Sequence, residues 1–367
     1  MVTSTEKQIF SSQYKTPFFF SSKALENFKI EIIELKKVYR QKDEEFISLL
    51  NRIRNNSVSE EDLKILNSRH RPSFKPKKNE FYIHLTAINK TADSINEEHI
   101  KALKGKAHQS SALIEGNFGK EYFPTHPELK FKIGSQVMLI NNDSKRRWVN
   151  GSIGVITGFN TAEEYMTVQL YPENKEVFVP LYTWDIYRFF FSKEKKAIVS
   201  EVAGSFSQYP IRLAWAITIH KSQGKTFDRA VIDMSRGMFA SGQAYVALSR
   251  CRSFEGLVLK NPIKKYHIKT DYRIFNFLTA HRYQKAEKDM PVKEKIKRIK
   301  EAIDNKKLLQ ISYLKANDEQ SHRKVRPLEA GLQTYRNKQF QGMRAFCFKA
   351  GEERMFRIDR ILKLERV

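Results

Sequence analysis

Cysteine is scarce in this chain, and its placement excludes two classes of protein. The 367 residues include two cysteines, Cys251 and Cys347, which lie far apart and match no metal-ligand spacing. A secreted disulfide framework and a cysteine zinc site are therefore both excluded. A reducing compartment fits this usage, so we expect a cytoplasmic protein.

Long apolar runs are also missing. No stretch of about 18 apolar residues occurs, which is the length that a membrane-spanning helix needs. The N-terminus, Met-Val-Thr-Ser-Thr-Glu-Lys, lacks the apolar core of a signal peptide. We therefore expect no membrane partner.

Acidic residues are in deficit relative to basic ones. The chain has 66 Lys and Arg against 41 Asp and Glu, so its formal net charge is +25. Such an excess predicts a polyanionic partner, and nucleic acid is the commonest one.

A nucleotide-phosphate loop, G-x-x-x-x-G-K-[ST], is missing as well. Residues 224–226 supply its last three positions, but Ile219 stands where the first glycine should be. The other Gly-Lys pair, at 119–120, is followed by Glu121. Residues 231–233 (Val-Ile-Asp) imitate the strand and Asp that hold Mg²⁺, yet without a phosphate loop they are better explained as a core strand. We expect this chain alone not to hydrolyse ATP.

What is present is enough apolar sequence for several folded units. Apolar residues make up 41% of the chain and aromatic ones 12%, which excludes a disordered protein. The first 125 residues have an α/β pattern, with Ser59 as a helix N-cap and Asp62 three residues on. The expected elements are strands at 18–20, 30–35 and 82–85 and helices at 44–54, after Ser59 and at 91–103.

From residue 129 to 208 the pattern changes to short β runs separated by turn residues, which predicts a small all-β barrel. We expect the aromatic run 189–191 to pack inside it, with a platform for base stacking as the alternative. The α/β pattern returns with strands at 215–220, 230–234 and 257–260 and a helix at 242–250. A basic connector follows at 264–288, and Pro291 opens a third unit. There an amphipathic helix at 293–304 should turn Ile296, Ile299 and Ile303 inward.

The run 214–228 is the most informative one because it leads from a buried strand into a loop dense with donors. In an open α/β sheet such a loop lies at the carboxyl edge, where ligands bind. Thr218, His220, Lys221 and Ser222 can donate hydrogen bonds to phosphate oxygens. Gly224 permits a close backbone approach to a ligand.

Several ordered segments resemble motifs of superfamily 1 helicases of the RecD and Pif type, over residues 18–262. Residues 214–228 resemble motif V and residues 242–251 resemble motif VI. The further matches are 35–43 with motif IV, 85–89 and 92–96 with the next DNA-contacting motif, and 134–139 and 149–154 with the approach to an inserted SH3-like barrel.

The resemblance implies an α/β fold class: a RecA-like second helicase motor domain with an inserted SH3-like barrel, followed by a small, mostly β domain. We expect the first motor domain, with its phosphate loop and Mg²⁺ carboxylate, to be missing from this sequence. The implied units are a remnant of the first domain or a linker (1–28), motor domain 2A (29–128 and 209–265), barrel 2B (129–208), a basic linker (266–290) and the tail (291–367).

For ATP, the resemblance assigns a catalytic role to arginines that stabilise charge on the γ-phosphate. Arg250 is the main candidate and Arg40 the second, and both are expected to bind ATP together with Gly224 and Gln223. Pairing of either arginine with a surface carboxylate is the alternative.

For DNA, the resemblance assigns a grip on the single-strand backbone that does not read sequence. The positions that match are Thr86, Asn89, Thr218, His220, Lys221, Ser222 and, near the barrel entrance, Asn150. His220 has the alternative of being a core histidine at a strand end.

The tail resembles a WYL domain, although residues 341–343 (Gln-Gly-Met) replace the Trp-Tyr-Leu triplet. WYL domains are thought to bind nucleic acid or nucleotide-like ligands through basic residues. Arg354, Arg357 and Arg360 are the candidates here, with structural ion pairing as an equally weighted alternative.

The resulting expectation is the C-terminal region of an ATP-dependent 5′–3′ DNA helicase acting in DNA repair or recombination. Its partners would be single-stranded or forked DNA and the first motor domain of the same helicase. ATP and Mg²⁺ would act in the full-length enzyme, and this chain alone would bind neither of them tightly. No metal site formed by protein side chains is expected. The chain would be monomeric. The alternative is a stand-alone nucleic-acid-binding or regulatory protein derived from a helicase.

Overall fold

The structure, a computed structural model, describes residues 4–25, 28, 31–33, 38–77, 80–235, 238, 240–315, 320–335 and 338–367. These residues form seven α-helices: α1 (Ser4–Gln13), α2 (Glu44–Arg54), α3 (Glu60–Asn67), α4 (Asn89–Ala102), α5 (Gln243–Leu248), α6 (Tyr272–Asp289) and α7 (Val292–Asp304). Within this part of the chain, no helix combines the length and apolar character needed to cross a bilayer.

The described strands number nineteen, and most are short. They are β1 (Ile83–Thr86), β2 (His108–Ser111), β3 (Leu113–Gly116), β4 (Glu128–Phe131), β5 (Gln136–Leu139), β6 (Ile153–Asn160), β7 (Tyr165–Tyr171), β8 (Glu176–Pro180), β9 (Tyr182–Ser192), β10 (Ala197–Gln208), β11 (Ile211–Leu213), β12 (Ala216–Thr218), β13 (Ala230–Asp233), β14 (Leu257–Leu259), β15 (Leu309–Leu314), β16 (Gln320–Tyr335), β17 (Lys338–Cys347), β18 (Glu352–Arg357) and β19 (Ile361–Arg366).

The chain divides into two compact units. The larger unit is formed by residues 38–54 and 58–269. The smaller unit is formed by residues 270–367 together with 1–37 and 55–57.

The larger unit contains a four-stranded parallel sheet in the order β12-β1-β13-β14. Helix α4 packs against β1 and β12, and α2 contacts α5. The apolar positions of α2 that recur at helical spacing, Phe46, Leu49, Leu50 and Ile53, are all buried in the core. The predicted start of α3 is confirmed, because the Ser59 hydroxyl accepts from the Asp62 N–H and the Asp62 carboxylate accepts from the Ser59 N–H.

Antiparallel sheets make up the rest of the larger unit. Five strands follow the order β11-β5-β6-β7-β8, three follow β3-β10-β9, and β2 pairs with β4. The five-stranded sheet and β4 contribute most of a second apolar core around Phe131, Trp148 and Met166. Strands β2 and β3 precede residue 129, so the β region begins earlier along the chain than the sequence indicates.

The expected packing of residues 189–191 inside a barrel is wrong. Phe189, Phe190 and Phe191 are 70%, 45% and 63% exposed, and they lie on the part of the β9–β10 hairpin that extends beyond the pairing of β10 with β3. Tyr187 and Ile198 on the same hairpin are exposed as well.

The smaller unit is built on one antiparallel sheet in the order β18-β17-β16-β15-β19, against which α7 packs. Much of the expected basic linker is helix α6. Residues 18–20 were expected to be a strand, but a 3-10 turn spans Phe19–Ser21, and the Phe20 ring stacks on Phe277 of α6 at 4.3 Å. The expected strand at 30–35 and the beginning of the motif IV segment 35–43 fall largely outside the described residues.

Asn96 of α4 fixes the edge strand of the parallel sheet. Its side-chain amide donates to the Ala216 carbonyl at 2.9 Å, and its side-chain oxygen accepts from the Ala216 N–H at 2.9 Å. Asn96 is almost fully buried. Its side chain thus provides hydrogen-bond partners for both the N–H and the carbonyl of Ala216 on the outer edge of β12. Asn96 lies in a segment that resembles a DNA-contacting motif, yet its side chain holds β12 in place.

We expect Asn96→Ala to destabilise the larger unit by about 2–3 kcal/mol, because both Ala216 backbone groups lose their partner. Denaturant unfolding would measure the change, with Ser94→Ala on the exposed face of α4 as the control. Equal stability of the two variants would show that β12 does not depend on this amide.

Candidate functional site

The candidate site lies where two neighbouring parallel strands end. Strands β1 and β12 pair in register, with Thr86 opposite Thr218. The Ile219 N–H then donates to the Thr86 carbonyl at 2.9 Å, which holds the start of the next loop against β1. The predicted placement of this loop at the carboxyl edge of the sheet is confirmed.

Tight turns shape this loop, residues 219–226. The Ser222 N–H donates to the Thr218 carbonyl and the Lys225 N–H to the Ser222 carbonyl, each at 3.0 Å. Gly224 has φ +77°, a conformation that favours glycine. A Cβ at Gly224 would meet no atom within 4 Å, so the backbone there faces open space.

Three of the proposed DNA-contacting side chains are buried and bonded internally. The Thr86 hydroxyl donates to the Ile88 carbonyl at 2.9 Å, and the Ser222 hydroxyl donates to the Ile219 carbonyl at 2.7 Å. The Thr218 hydroxyl accepts from the Lys221 N–H at 3.4 Å. In this conformation the three hydroxyls shape the loop, and they are not presented to a ligand as the sequence suggested.

The exposed members of the predicted set are Asn89, His220, Lys221, Asn150, Gln223 and Gly224. His220 is therefore not a core histidine. Asn150 is brought to the loop by Lys225, whose ammonium donates to the Asn150 side-chain oxygen.

Sequence reasoning assigned no role to two basic residues, Arg212 on β11 and Lys225 within the loop. Burial lowers the pKa of Lys221, and the positive charge of Arg212 lowers it further while Asp93 raises it. Burial and Arg212 also lower the pKa of Lys225. The three cations thus form a partly desolvated positive cluster, which attracts anions. Lys225 had been visible only as part of the failed phosphate-loop match.

Arg40 and Arg250 converge on one segment of the larger unit. The Arg250 guanidinium donates to the Val246 carbonyl (2.9 Å), the Ser249 hydroxyl (2.9 Å) and the Lys225 carbonyl (3.3 Å). The Arg40 guanidinium donates to the Thr226 hydroxyl at 2.8 Å and the Ser249 carbonyl at 3.2 Å. The structure therefore brings these two candidates together, although they are far apart in sequence.

Neither arginine has an acidic partner among the residues that the structure describes. Burial, followed by the charge of Arg40, lowers the pKa of Arg250 to about 10, so the group stays protonated at neutral pH. By contrast, Arg252 pairs with Asp228 at 2.9 Å. Arg40 and Arg250 thus leave two positive charges without a neutralising carboxylate.

Gln41, which sequence reasoning also missed, braces the segment that carries Arg250. Its buried side-chain amide donates to the Ser249 carbonyl at 2.9 Å and the Cys251 carbonyl at 2.8 Å. Gln41 directly follows Arg40, so one short stretch both supports Arg250 and supplies the second guanidinium.

Two of the three tail arginines, Arg354 and Arg357, show the pairing that was the alternative explanation. Arg354 donates to Glu352 at 2.6 Å and Arg357 to Asp359 at 2.6 Å, both on exposed surface. Arg360 lies in the 3-10 turn Ile358–Arg360. Their binding of nucleic acid or another ligand stays a prediction.

No group of three or more His, Cys, Asp or Glu side chains that could hold a metal ion occurs in the described ranges. ATP, in contrast, fits the chemistry of the uncompensated Arg40 and Arg250 guanidiniums, since arginine binds phosphate through several N–H donors.

Comparison with known proteins bears on both units. The human ATP-dependent DNA helicase PIF1 is 32% identical over 273 residues, which cover 72% of this chain and 40% of the human protein. The Campylobacter jejuni ATP-dependent DNA helicase Pif1 is 27% identical over 81% of this chain and 68% of its own length. Homologues of this chain are Pif1-type ATP-dependent DNA helicases.

Solved structures of Pif1-type helicases match a similar share of this chain. The crystal structure of Bacteroides sp. Pif1 in complex with ADP-AlF4 superposes with a TM-score of 0.67 at 33% identity, covering 76% of this chain and 63% of that one. Residues 294–366 match the WYL domain family. The chain thus has a mixed α/β helicase-like fold with a WYL domain, and it spans about 40% of the length of the human relative.

Proposed function

We propose that this chain supplies the second motor domain of an ATP-dependent DNA helicase with 5′–3′ polarity. In this proposal the β-rich insertion is an SH3-like barrel, and a first motor domain of the same helicase binds the phosphates of ATP and Mg²⁺. The observation that carries the proposal is the pair of guanidiniums, Arg40 and Arg250, which lack a carboxylate partner in the described part of the chain.

Arg250 has the chemistry that γ-phosphate stabilisation needs. A guanidinium has five N–H donors, and three of those of Arg250 contact neighbouring oxygens. The bond to the Lys225 carbonyl is the longest of the three, so a phosphate oxygen could replace it at least cost. Charge developing on the γ-phosphate would then meet a positive group held in a partly desolvated site. Arg40 would add a second donor, and the backbone at Gly224 and Gln223 would approach the nucleotide.

The cation cluster on the adjacent loop supports a separate role in gripping DNA. Lys221 and His220 are exposed at the edge where β1 and β12 end, with Asn89 near the same edge and Asn150 bonded to Lys225. Such groups bind phosphates without reading sequence. Structures of Bacteroides Pif1 bound to single-stranded DNA, and of two Pif1 helicases at forked DNA, are among the relatives. We infer the same class of partner for this chain, which we expect to act as a monomer.

A stand-alone nucleic-acid-binding protein would use the same cation cluster but would leave Arg250 without a nucleotide to act on. The two functions therefore differ in the effect of changing Arg250.

In a protein that joins this chain to a phosphate-loop domain, Arg250→Ala should lower DNA-stimulated ATP turnover about a thousandfold or more, as expected for an arginine that stabilises the γ-phosphate. Affinity for single-stranded DNA should stay within about twofold of the parent, because the DNA grip uses other groups. Steady-state ATPase assays and fluorescence anisotropy would measure the two quantities.

Arg252→Ala is the matched control, since Arg252 lies two residues away and is neutralised by Asp228. It should retain most of the turnover. Retention of near-parental turnover by Arg250→Ala would contradict the proposed role and favour the stand-alone alternative.

This chain by itself should bind single-stranded DNA with an affinity that falls steeply with salt. Each phosphate contact contributes about 0.7 to the slope of log K against log salt concentration. Lys221→Ala should therefore weaken binding and reduce the slope by about 0.7. Lys64→Ala, which removes an exposed lysine from α3, should change neither quantity. Salt-independent DNA binding, or equal slopes for the two variants, would contradict a contact between Lys221 and the DNA phosphates.

A further inference from the structure

Lys295 occupies a core position in the smaller unit, where a lysine is rarely found. It lies on the face of α7 that also buries Ile299 and Ala302, at i, i+4 and i+7. Its side chain is 1% exposed, which makes it one of the largest fully buried side chains in the structure. The predicted inward face of Ile296, Ile299 and Ile303 is confirmed, since Ile299 lies in the core and the other two pack against it, but the buried face of α7 also includes Lys295.

A cavity of about 640 Å³ lies beside this lysine. The residues that line it are Tyr283, Gln284, Glu287, Lys288, Val292, Lys295 and Asp359. They come from α6, α7 and the turn before β19, all within the smaller unit. The volume is in the range of pockets that hold small organic molecules.

The two carboxylates in the cavity are already engaged by other groups. Both oxygens of Glu287 accept from the Val292 N–H at the start of α7, at 3.2 and 3.0 Å. Both oxygens of Asp359 accept from the Arg357 guanidinium, at 3.1 and 2.6 Å.

The Lys295 ammonium forms no ion pair or hydrogen bond with any residue in the described part of the chain. Burial lowers the pKa of Lys295, and the nearby Glu287 and Asp359 raise it only in part. A partly desolvated ammonium without a direct partner attracts anions, so the arrangement is suited to a negatively charged group that enters the cavity.

The charges around the cavity restrict what that group can be. Glu287 and Asp359 balance Lys288 and Lys295, so the four ionisable side chains sum to zero formal charge. A polyanion such as DNA would be repelled by the two carboxylates, and a phosphate monoester carries nearly two negative charges at neutral pH. A carboxylate carries one charge, and Val292 and the Tyr283 ring offer apolar surface to an organic body.

We infer that this cavity binds a small organic carboxylate, with the carboxylate paired to the Lys295 ammonium. The site is separate from the helicase chemistry proposed above, because it uses no residue of the larger unit.

Calorimetric titration of the 367-residue protein with benzoate tests the inference. Saturable binding in the millimolar range or tighter is expected, with inorganic phosphate binding at least tenfold more weakly. Lys295→Met should weaken benzoate binding at least tenfold, since methionine keeps an unbranched apolar chain in the core and removes the charge. Lys293→Met, on the exposed face of the same helix, should leave it unchanged.

A second measurement uses the unaltered protein, so it does not require that Lys295→Met folds. Benzoate should protect Lys295 of the unaltered protein from acetylation by acetic anhydride, as read by peptide mass spectrometry, while acetylation of Lys293 continues. Absence of saturable benzoate binding, equal binding by Lys295→Met, tighter binding of phosphate, or unprotected Lys295 would each overturn the inference.

Discussion

Two positive charges, held close together with no neutralising carboxylate in the described part of the chain, are the constraint on which the candidate nucleotide site depends. The guanidiniums of Arg40 and Arg250 both contact Ser249, one at its carbonyl and the other at its hydroxyl. Their mutual repulsion opposes this arrangement, and neutral oxygens of the chain offset it. Gln41 keeps the Ser249 segment in place through two further hydrogen bonds. A site built this way is electrostatically complete only when an anion is present.

Lys225 connects the arginine pair to the loop that we propose grips DNA. Its carbonyl accepts from Arg250, and its ammonium donates to Asn150. The loop that contains Lys225 is itself bound to the end of β1 through the Ile219 N–H. If ATP takes the place of the Lys225 carbonyl at Arg250, the backbone of the loop is released from one of its contacts. The fold therefore offers a short physical route between the two proposed ligands.

Local patterns in the sequence predicted local structure well. Helix α2 followed from its apolar spacing, and the start of α3 followed from the Ser59 capping box, because each depends on residues a few positions apart. The carboxyl-edge loop was predicted for the same reason. The internal hydrogen bonds of Thr86, Thr218 and Ser222 could not be predicted, because the side-chain chemistry is visible in the sequence whereas the backbone groups that engage it are not. Their contact with DNA stays a prediction.

Features that depend on distant residues could not be predicted. Phe189–Phe191 look like core residues, but they are exposed on the part of their hairpin that extends beyond β3. Phe20 needs Phe277 as its partner, and a lysine at position 295 gives no sign of burial. The convergence of Arg40 with Arg250 was inferred through the family resemblance, since nothing in their spacing indicates it.

We propose that this chain provides one half of a nucleotide site and needs a phosphate-loop domain for the other half. The most direct test is DNA-stimulated ATP hydrolysis by the purified 367-residue protein, measured beside a protein that joins it to such a domain. We expect turnover in the joined protein alone, together with binding of single-stranded DNA by both proteins. Sustained ATP turnover by the 367-residue protein alone would contradict it.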